Sequence, residues 1–301
     1  MQSIDFPTLL TIMYVLIDDW YEQNAPRLLK GKVGVKPVFT DSEVITLMLA
    51  MDFLSFESET QFLAFIRANY LELFPKLCDQ SQFNRRARCL RLIVEELRRA
   101  WLTELGGTTE LFFLIDTKPV PVVGYKRTKK HSGFRASASY GYCAARHFHY
   151  FGYKLVAMTT FSGLPIVYEL VAANTDERAA AEEVLCSLHS CDIFGDKGFI
   201  GADWQAEVKE QTDNRVWTAK RINQKAQNPK WFDRLLNGVR ERIEGSFNEL
   251  QNTGRNMERL LAKTVVGLST RIIAKVTSYT LKLLLRKSFG LDVQTFRVAE
   301  A

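Results

Sequence analysis

Apolar residues recur at helical spacing from the start of the chain to about residue 105, with few runs of strand character. Asp41-Ser42-Glu43 opens one such run, in which Val44, Leu47, Met48 and Met51 share a face. Ser58 to Tyr70 and Gln82 to Trp101 predict two further amphipathic helices. Gly106-Gly107-Thr108-Thr109 then breaks the pattern, since paired glycines end helices. Beyond it the rhythm changes. Leu111-Phe112-Phe113-Leu114-Ile115 is a short apolar run closed by Asp116, the pattern of a buried strand with a carboxylate at its end. Lys154 to Phe161 and Leu164 to Leu170, joined around Ser162-Gly163, predict a hairpin. Asp176 to His189 predicts a helix capped within Asn174-Thr175-Asp176. Asp192 to Gly195 predicts a strand ending at Asp196, Ala202 to Glu210 a helix, Val216 to Thr218 a brief strand, and Trp231 to Leu250 a long helix. Three strands, then helix, strand, helix, strand and helix make a mixed α/β layer, and the order matches the ribonuclease-H-like fold.

Composition narrows the class. Lys and Arg number 40 against 34 Asp and Glu, a surplus of 6 that suits a polyanionic partner without demonstrating one. Five scattered cysteines with no CxxC pair argue against a zinc site or a disulfide framework, and for a reduced, cytoplasmic setting. No basic start, apolar run and small-residue cleavage site marks a secretory leader. Val265 to Leu285 is the most apolar late stretch, but Arg271, Lys275 and Lys282 interrupt it, so it predicts a packed helix and no membrane span.

Asp116 and Asp196 share a setting: each closes an apolar strand, with Lys118 or Lys197 close behind. Ligand groups of open α/β sheets gather where strands end. Two such aspartates with a helical glutamate, Glu244, form an oxygen-only set suited to Mg²⁺ or Mn²⁺, and able to hold two ions about 4 Å apart for phosphodiester chemistry. Alone, an aspartate after a strand is most often a cap or turn residue. Asp176 rivals Asp196, although its Asn-Thr-Asp context suits capping. Glu241 and Glu249 rival Glu244, and Glu241, one turn earlier, is the closer of the two.

Four strings carry a resemblance: LIDTKPVPV around Asp116, YGYCAARHFHYFGYKL from Tyr140, IFGDKGFIG around Asp196 and RERIEGSFNEL around Glu244. Over roughly residues 110 to 252, and more weakly at SQFNRRA, the chain resembles bacterial insertion-sequence transposases with an Asp-Asp-Glu triad, most closely the insertion-sequence-982 family. The resemblance implies that Asp116, Asp196 and Glu244 bind catalytic Mg²⁺ or Mn²⁺. It implies metal-dependent cleavage and strand transfer at element ends, with double-stranded DNA as end and target and a homodimer on DNA. It divides the chain into a helical DNA-binding or oligomerisation domain (1–107), a ribonuclease-H-like catalytic domain (108–252) and a C-terminal helical extension packed on the latter (253–301). Related groups often carry a tyrosine ahead of the helix arginine and a lysine after the glutamate; here Asn237 and Gln251 stand there. Arg240 lies one turn before Glu244, either as a phosphate clamp or as a helix-surface ion pair. A nuclease that cuts without joining, and a silent transposase-derived DNA-binding protein, are the alternatives.

From Thr117 through Tyr168 there is no acidic residue. The stretch carries Lys118, Lys126, Arg127, Lys129, Lys130, Arg135, Arg146 and Lys154 among eight aromatics from Tyr125 to Tyr153. Basic residues interleaved with aromatics suit phosphate neutralisation and base stacking, so DNA contact is favoured over a merely solvated face. Lys197 and Arg240 are further candidates for phosphates. His131, His147 and His149 lack the companions of a metal site and suit hydrogen bonding. The arginine-rich helix from Gln82 to Trp101 is either a solvated bundle face or a module that contacts DNA.

Overall fold

The computed structural model describes residues 4–28, 37–127, 129–220, 228–252, 254–293 and 295–296, without the side chains of 25, 26, 145, 240 and 243. Two units emerge: residues 1–105 with 250–301, and residues 106–249.

The first unit is helical. Its helices are α1 (Phe6–Leu28), α2 (Asp41–Ala50), α3 (Glu59–Asn69), α4 (Gln80–Glu104) and, near the end of the chain, α8 (Val265–Phe289). Helix α2 begins in a capping box: Glu43 N–H donates to Thr40 Oγ1 at 3.1 Å and Thr40 N–H to Glu43 Oε2 at 2.5 Å. Asp79 caps α4 by accepting from Gln82 N–H at 2.8 Å. On α4 the buried residues Phe83, Ala87, Leu90, Val94, Leu97 and Trp101 alternate spacings of four and three, which makes one narrow apolar stripe. That stripe meets α8, which is buried along most of its length.

The arginines of α4 are largely engaged within this unit. Arg86 pairs with Asp41 at 2.5 Å, Arg98 with Glu95 at 2.6 Å and Arg99 with Glu96 at 2.8 Å. Arg88 and Arg91 donate to carbonyls of their own helix. Arg85 is left exposed.

Helix α8 packs on α4 and α2 within this unit. A cluster of buried charges lies within this packing. Arg255 donates to both oxygens of the buried Asp52, at 3.1 and 2.7 Å, and Lys275 donates to Arg255 O at 2.6 Å. Burial pushes the Lys275 ammonium down to about 8 while Asp52 opposes the shift. Nearby, Arg271 of α8 meets Glu59 at 3.2 Å, and Gln80 and Asn84 also donate to Glu59. Gly254 makes the approach possible: its φ is 61°, and a Cβ there would stand 1.9 Å from Asp52 O. None of the described helices is long and apolar enough to cross a membrane.

The second unit is a six-stranded mixed sheet with three helices. In chain order it runs β1 (Phe112–Val123), β2 (Ser139–Cys143), β3 (Phe148–Thr160), β4 (Pro165–Ala172), α5 (Glu177–Leu185), β5 (Asp192–Gly195), α6 (Ala202–Thr212), β6 (Arg215–Thr218) and α7 (Lys230–Asn252). The sheet order is β2-β3-β1-β5-β6, with β4 also on β3. Strand β3 is antiparallel to β1, β2 and β4, whereas β5 is parallel to β1 and β6 to β5.

Strand β1 outruns the expected five residues. It continues through Asp116 to Val123 because the long β3 pairs with it all the way, despite Pro119 and Pro121. Strand β5 stops at Gly195, so among the described residues the far half of β1 has an open edge, where prolines are tolerated. The basic stretch also contains structure the sequence did not suggest: β2 and the first half of β3 pair from Ser139↔Gly152 to Cys143↔Phe148. On one sheet face Leu114, Ala157 and Phe194 pack with Leu236, Val239 and Phe247 of α7.

Candidate active site

The parallel ladder of β1 and β5 decides the geometry. Its last rung pairs Ile115 with Gly195, so Asp116 and Asp196 each come one residue beyond it, Asp116 still on β1 and Asp196 just past the end of β5. Strands lie about 4.8 Å apart, so the two aspartates start side by side. Asp116 is therefore not the end of its own strand, as the sequence implied, but it does stand at the end of the parallel pairing. Alternation puts it on the face of Leu114, the face covered by α7.

Asp116 Oδ1 accepts from Thr117 N–H at 2.7 Å, and Lys118 Nζ lies 3.7 Å from Oδ2. Burial pushes this carboxyl up to about 6 against the pull of Lys118 and the Thr117 N–H, and the charges of Asp196 and Glu177 add to the rise. Asp196 caps a 3-10 turn, its Oδ1 accepting from Gly198 N–H at 2.6 Å.

Lys118 reaches further. Its ammonium stands 5.7 Å from the Phe247 ring centroid, which sets a turn of α7 beside Asp116. Glu244 lies three residues before Phe247 on that helix and is exposed, as is its rival Glu241. Among the described residues no three His, Cys, Asp or Glu side chains stand close enough to hold one metal ion, so Glu244 is not gathered with the two aspartates. Arg240 falls on α7, with its side chain outside the described residues. Asp176 is exposed and caps α5 by accepting from Arg178 N–H at 3.0 Å.

A cleft of about 190 Å³ opens beside Asp196, lined by Lys197, Lys220, Asp233 and Asn237 among others. Lys220 has no local sequence signal; only the adjacency of β6 and β5 brings it here. Glu177 is likewise hidden in the sequence, behind the better cap Asp176. Burial raises the Glu177 carboxyl, Asp196 adds to this and Lys154 opposes it.

In the basic stretch Lys126, Arg127, Lys130 and Arg135 are exposed. Lys129 is turned inward: its ammonium donates to Gly124 O at 3.2 Å and to Tyr125 O, and lies over the rings of Tyr125, Tyr140 and Phe151. It organises the loop and offers little charge outward. Tyr142 bonds His147 Nδ1 at 3.1 Å and its ring lies tilted against that of His149, centroids 4.7 Å apart, which engages two of the three histidines.

The donor set is carboxylate oxygen throughout, with two aspartates fixed side by side and like charges crowded around them, which in kind fits a hard divalent cation. No curated protein and no solved structure matches the chain. A model of the family described as Transposase DDE domain matches residues 107–281, more than half of the sequence, and the chain belongs to that family.

Proposed function

We propose that the chain is a metal-dependent DNA transposase of the insertion-sequence type, closest to the insertion-sequence-982 family, which cuts DNA at the ends of its element and joins them to a target. The observation that carries this reading is the β1/β5 register, which sets Asp116 and Asp196 together in a member of a transposase family. The ribonuclease-H-like assignment is supported by the sheet path β4-β3-β1-β5-β6, antiparallel on one side of β1 and parallel on the other.

Bound Mg²⁺ or Mn²⁺, as a pair, would activate the attacking oxygen and stabilise the leaving one. Asp116 and Asp196 would hold the ions, with Glu244 joining from α7. Lys118 holds Asp116 in place and tempers its charge before loading. Lys197 and Lys220 line the cleft beside Asp196 and would bind the phosphates flanking the scissile bond, as would Arg240. The apolar floor of Leu114 and Phe194 keeps bulk water from beneath the site. Residues 1–107 would contribute DNA binding and self-association, and the protein would act as a homodimer.

The test is incubation of the purified protein with a duplex carrying an element end, target DNA and Mg²⁺ or Mn²⁺. Cut ends joined to target are expected, with no reaction after chelation and with Ca²⁺ supporting binding better than turnover. Cutting without joining would identify a nuclease. Binding without either would identify a silent DNA-binding protein.

The exposed cations of the basic stretch give a second expected result. Neutralising Lys126, Arg127 and Lys130 together should weaken binding to all duplexes alike. The log–log salt slope should flatten by up to about 2.7, at about 0.9 for each phosphate no longer neutralised. An unchanged slope over a salt series would return the stretch to a solvated surface.

A further inference from the structure

The β2/β3 ladder sets a patch of aromatic rings on the surface. Tyr140 pairs with Phe151 and Tyr142 with His149, so these four side chains project from one sheet face. Phe151 is buried, whereas Tyr140 and Tyr142 are 54% and 51% exposed, and His149 is exposed beside them. Tyr125, 49% exposed, joins from the β1–β2 connection, its ring centroid 5.6 Å from that of Tyr140 and 5.9 Å from that of His149. With Tyr142 and His149 4.7 Å apart, the exposed rings are continuous. The reverse side of β2 is pinned. A Cβ at Gly141 would stand 2.8 Å from Ala173 Cβ, and Asn174 N–H donates to Ser139 Oγ at 2.8 Å. The tyrosines on either side of Gly141 are thereby held outward. Lys129 braces the patch, its ammonium 5.6 and 5.3 Å from the Tyr125 and Tyr140 centroids. Alternation carries residues 149, 151, 153, 155 and 157 of β3 to one face, and Ala157 stands opposite Asp116. The patch therefore shares a sheet face with the candidate active site, and Phe151 precedes Ala157 by roughly 20 Å of strand.

Two features name the occupant. Lys126 and Arg127 follow Tyr125 directly and are exposed, as is Lys130, and no acidic residue occurs from Thr117 through Tyr168, so the surroundings call for a polyanion. The rings stand at angles to one another, 83° between Tyr125 and Tyr140 and 42° between Tyr142 and His149, so their faces point in several directions. A ring face takes up the face of a base. Paired bases keep their faces stacked inside the duplex, and splayed, unpaired bases present them. We infer that this patch binds unpaired nucleotides, a single-stranded stretch of DNA lying along the same sheet face as the acidic site, with Tyr125, Tyr140, Tyr142 and His149 stacking its bases. The inference rests on the DNA-directed reading above and deepens it: the exposed cations hold phosphates and the rings hold bases.

The test is fluorescence anisotropy of labelled oligo-dT, of an abasic strand of equal length and of a blunt duplex, each bound to the full-length protein in chelator. The parental protein should bind oligo-dT well above the abasic strand, which carries the same phosphates and no bases. Tyr140→Ala and Tyr142→Ala should each weaken oligo-dT binding roughly fivefold to a hundredfold, the scale of one lost stacking contact, and leave duplex affinity and the melting temperature near parental. Tyr140→Phe and Tyr142→Phe, which keep the ring, should bind like the parent. Equal parental affinity for oligo-dT and the abasic strand would overturn the inference even if every alanine variant failed to fold. So would parental oligo-dT binding in the folded alanine variants, or equal losses on oligo-dT and duplex. A change of oligomeric state in those variants with oligo-dT affinity unmoved would instead give the face to a second copy of the chain. The binding assay needs neither metal nor an element end, so it stands apart from cleavage. Stacking lost while ends are still cut and joined fells this inference alone; ends left uncut while oligo-dT binding follows the rings fells the transposase reading alone.

Discussion

Asp196→Asn and Asp116→Asn should each reduce end cleavage by about a hundredfold to a thousandfold, the scale seen when one preorganised electrostatic group is removed from a reacting centre. Each change is isosteric and leaves the β1/β5 ladder intact, because its last rung, Ile115 with Gly195, precedes both residues. Folding and DNA binding should therefore survive. Asp116→Asn also removes the charge that Lys118 faces at 3.7 Å, so some melting change is tolerable there. Glu244→Gln is expected to act similarly, although its side chain is exposed on α7. Single-turnover cleavage on an end-containing duplex is the measurement. Near-parental cutting by either aspartate variant would remove that residue from the site, and loss in Glu241→Gln with full activity in Glu244→Gln would move the helical carboxylate one turn back.

The largest stability effect should come from the other unit. Asp52→Ala leaves Arg255 and Lys275 buried without the carboxylate that both face, at 2.7 and 4.0 Å. Breaking a buried pair from one side costs about 3–5 kcal/mol, since the remaining charge cannot be solvated. In a unit of this size that corresponds to a drop of roughly 10 °C in its melting transition. Replacing all three groups with apolar residues of similar volume should recover much of the loss, because the desolvation penalty goes with the charges. Calorimetry of the full-length protein would check both. A loss below about 1 kcal/mol in Asp52→Ala, well under the cost of stranding a buried charge, would mean that water reaches the cluster.

The elements legible in the sequence were those whose signals are local. The β3/β4 turn, the Asp176 cap of α5 and the short strand before Asp196 all follow from periodicity and turn chemistry. What was hidden depends on partners distant in sequence. The prolines of β1 suggest an end to the strand, and only the shortness of β5 makes them acceptable. Strand β2 was masked by basic and aromatic residues that β3 turns into a ladder. Lys275 reads in the sequence only as a charge interrupting an apolar stretch, whereas its partners, Asp52 and Arg255, are buried with it. The aspartates stood out as strand-end acids, but their adjacency is a property of register. Glu177 was passed over because one acid per helix start satisfies the capping rule.

The pairing of α8 with α4 and α2 also has a consequence in time. The first four helices leave the ribosome with the apolar stripe of α4 and the Asp52 carboxylate still lacking their partners, and those partners follow only after the whole mixed unit has been made. At about 5–20 residues per second, a gap of roughly 150 residues is a wait on the order of 10 to 30 s. Within it the strands and helices of the mixed unit emerge and can close on their own contacts. The helical unit is thus begun first and finished last, and its early helices are the segment of a nascent chain most exposed to chaperones and to neighbouring copies.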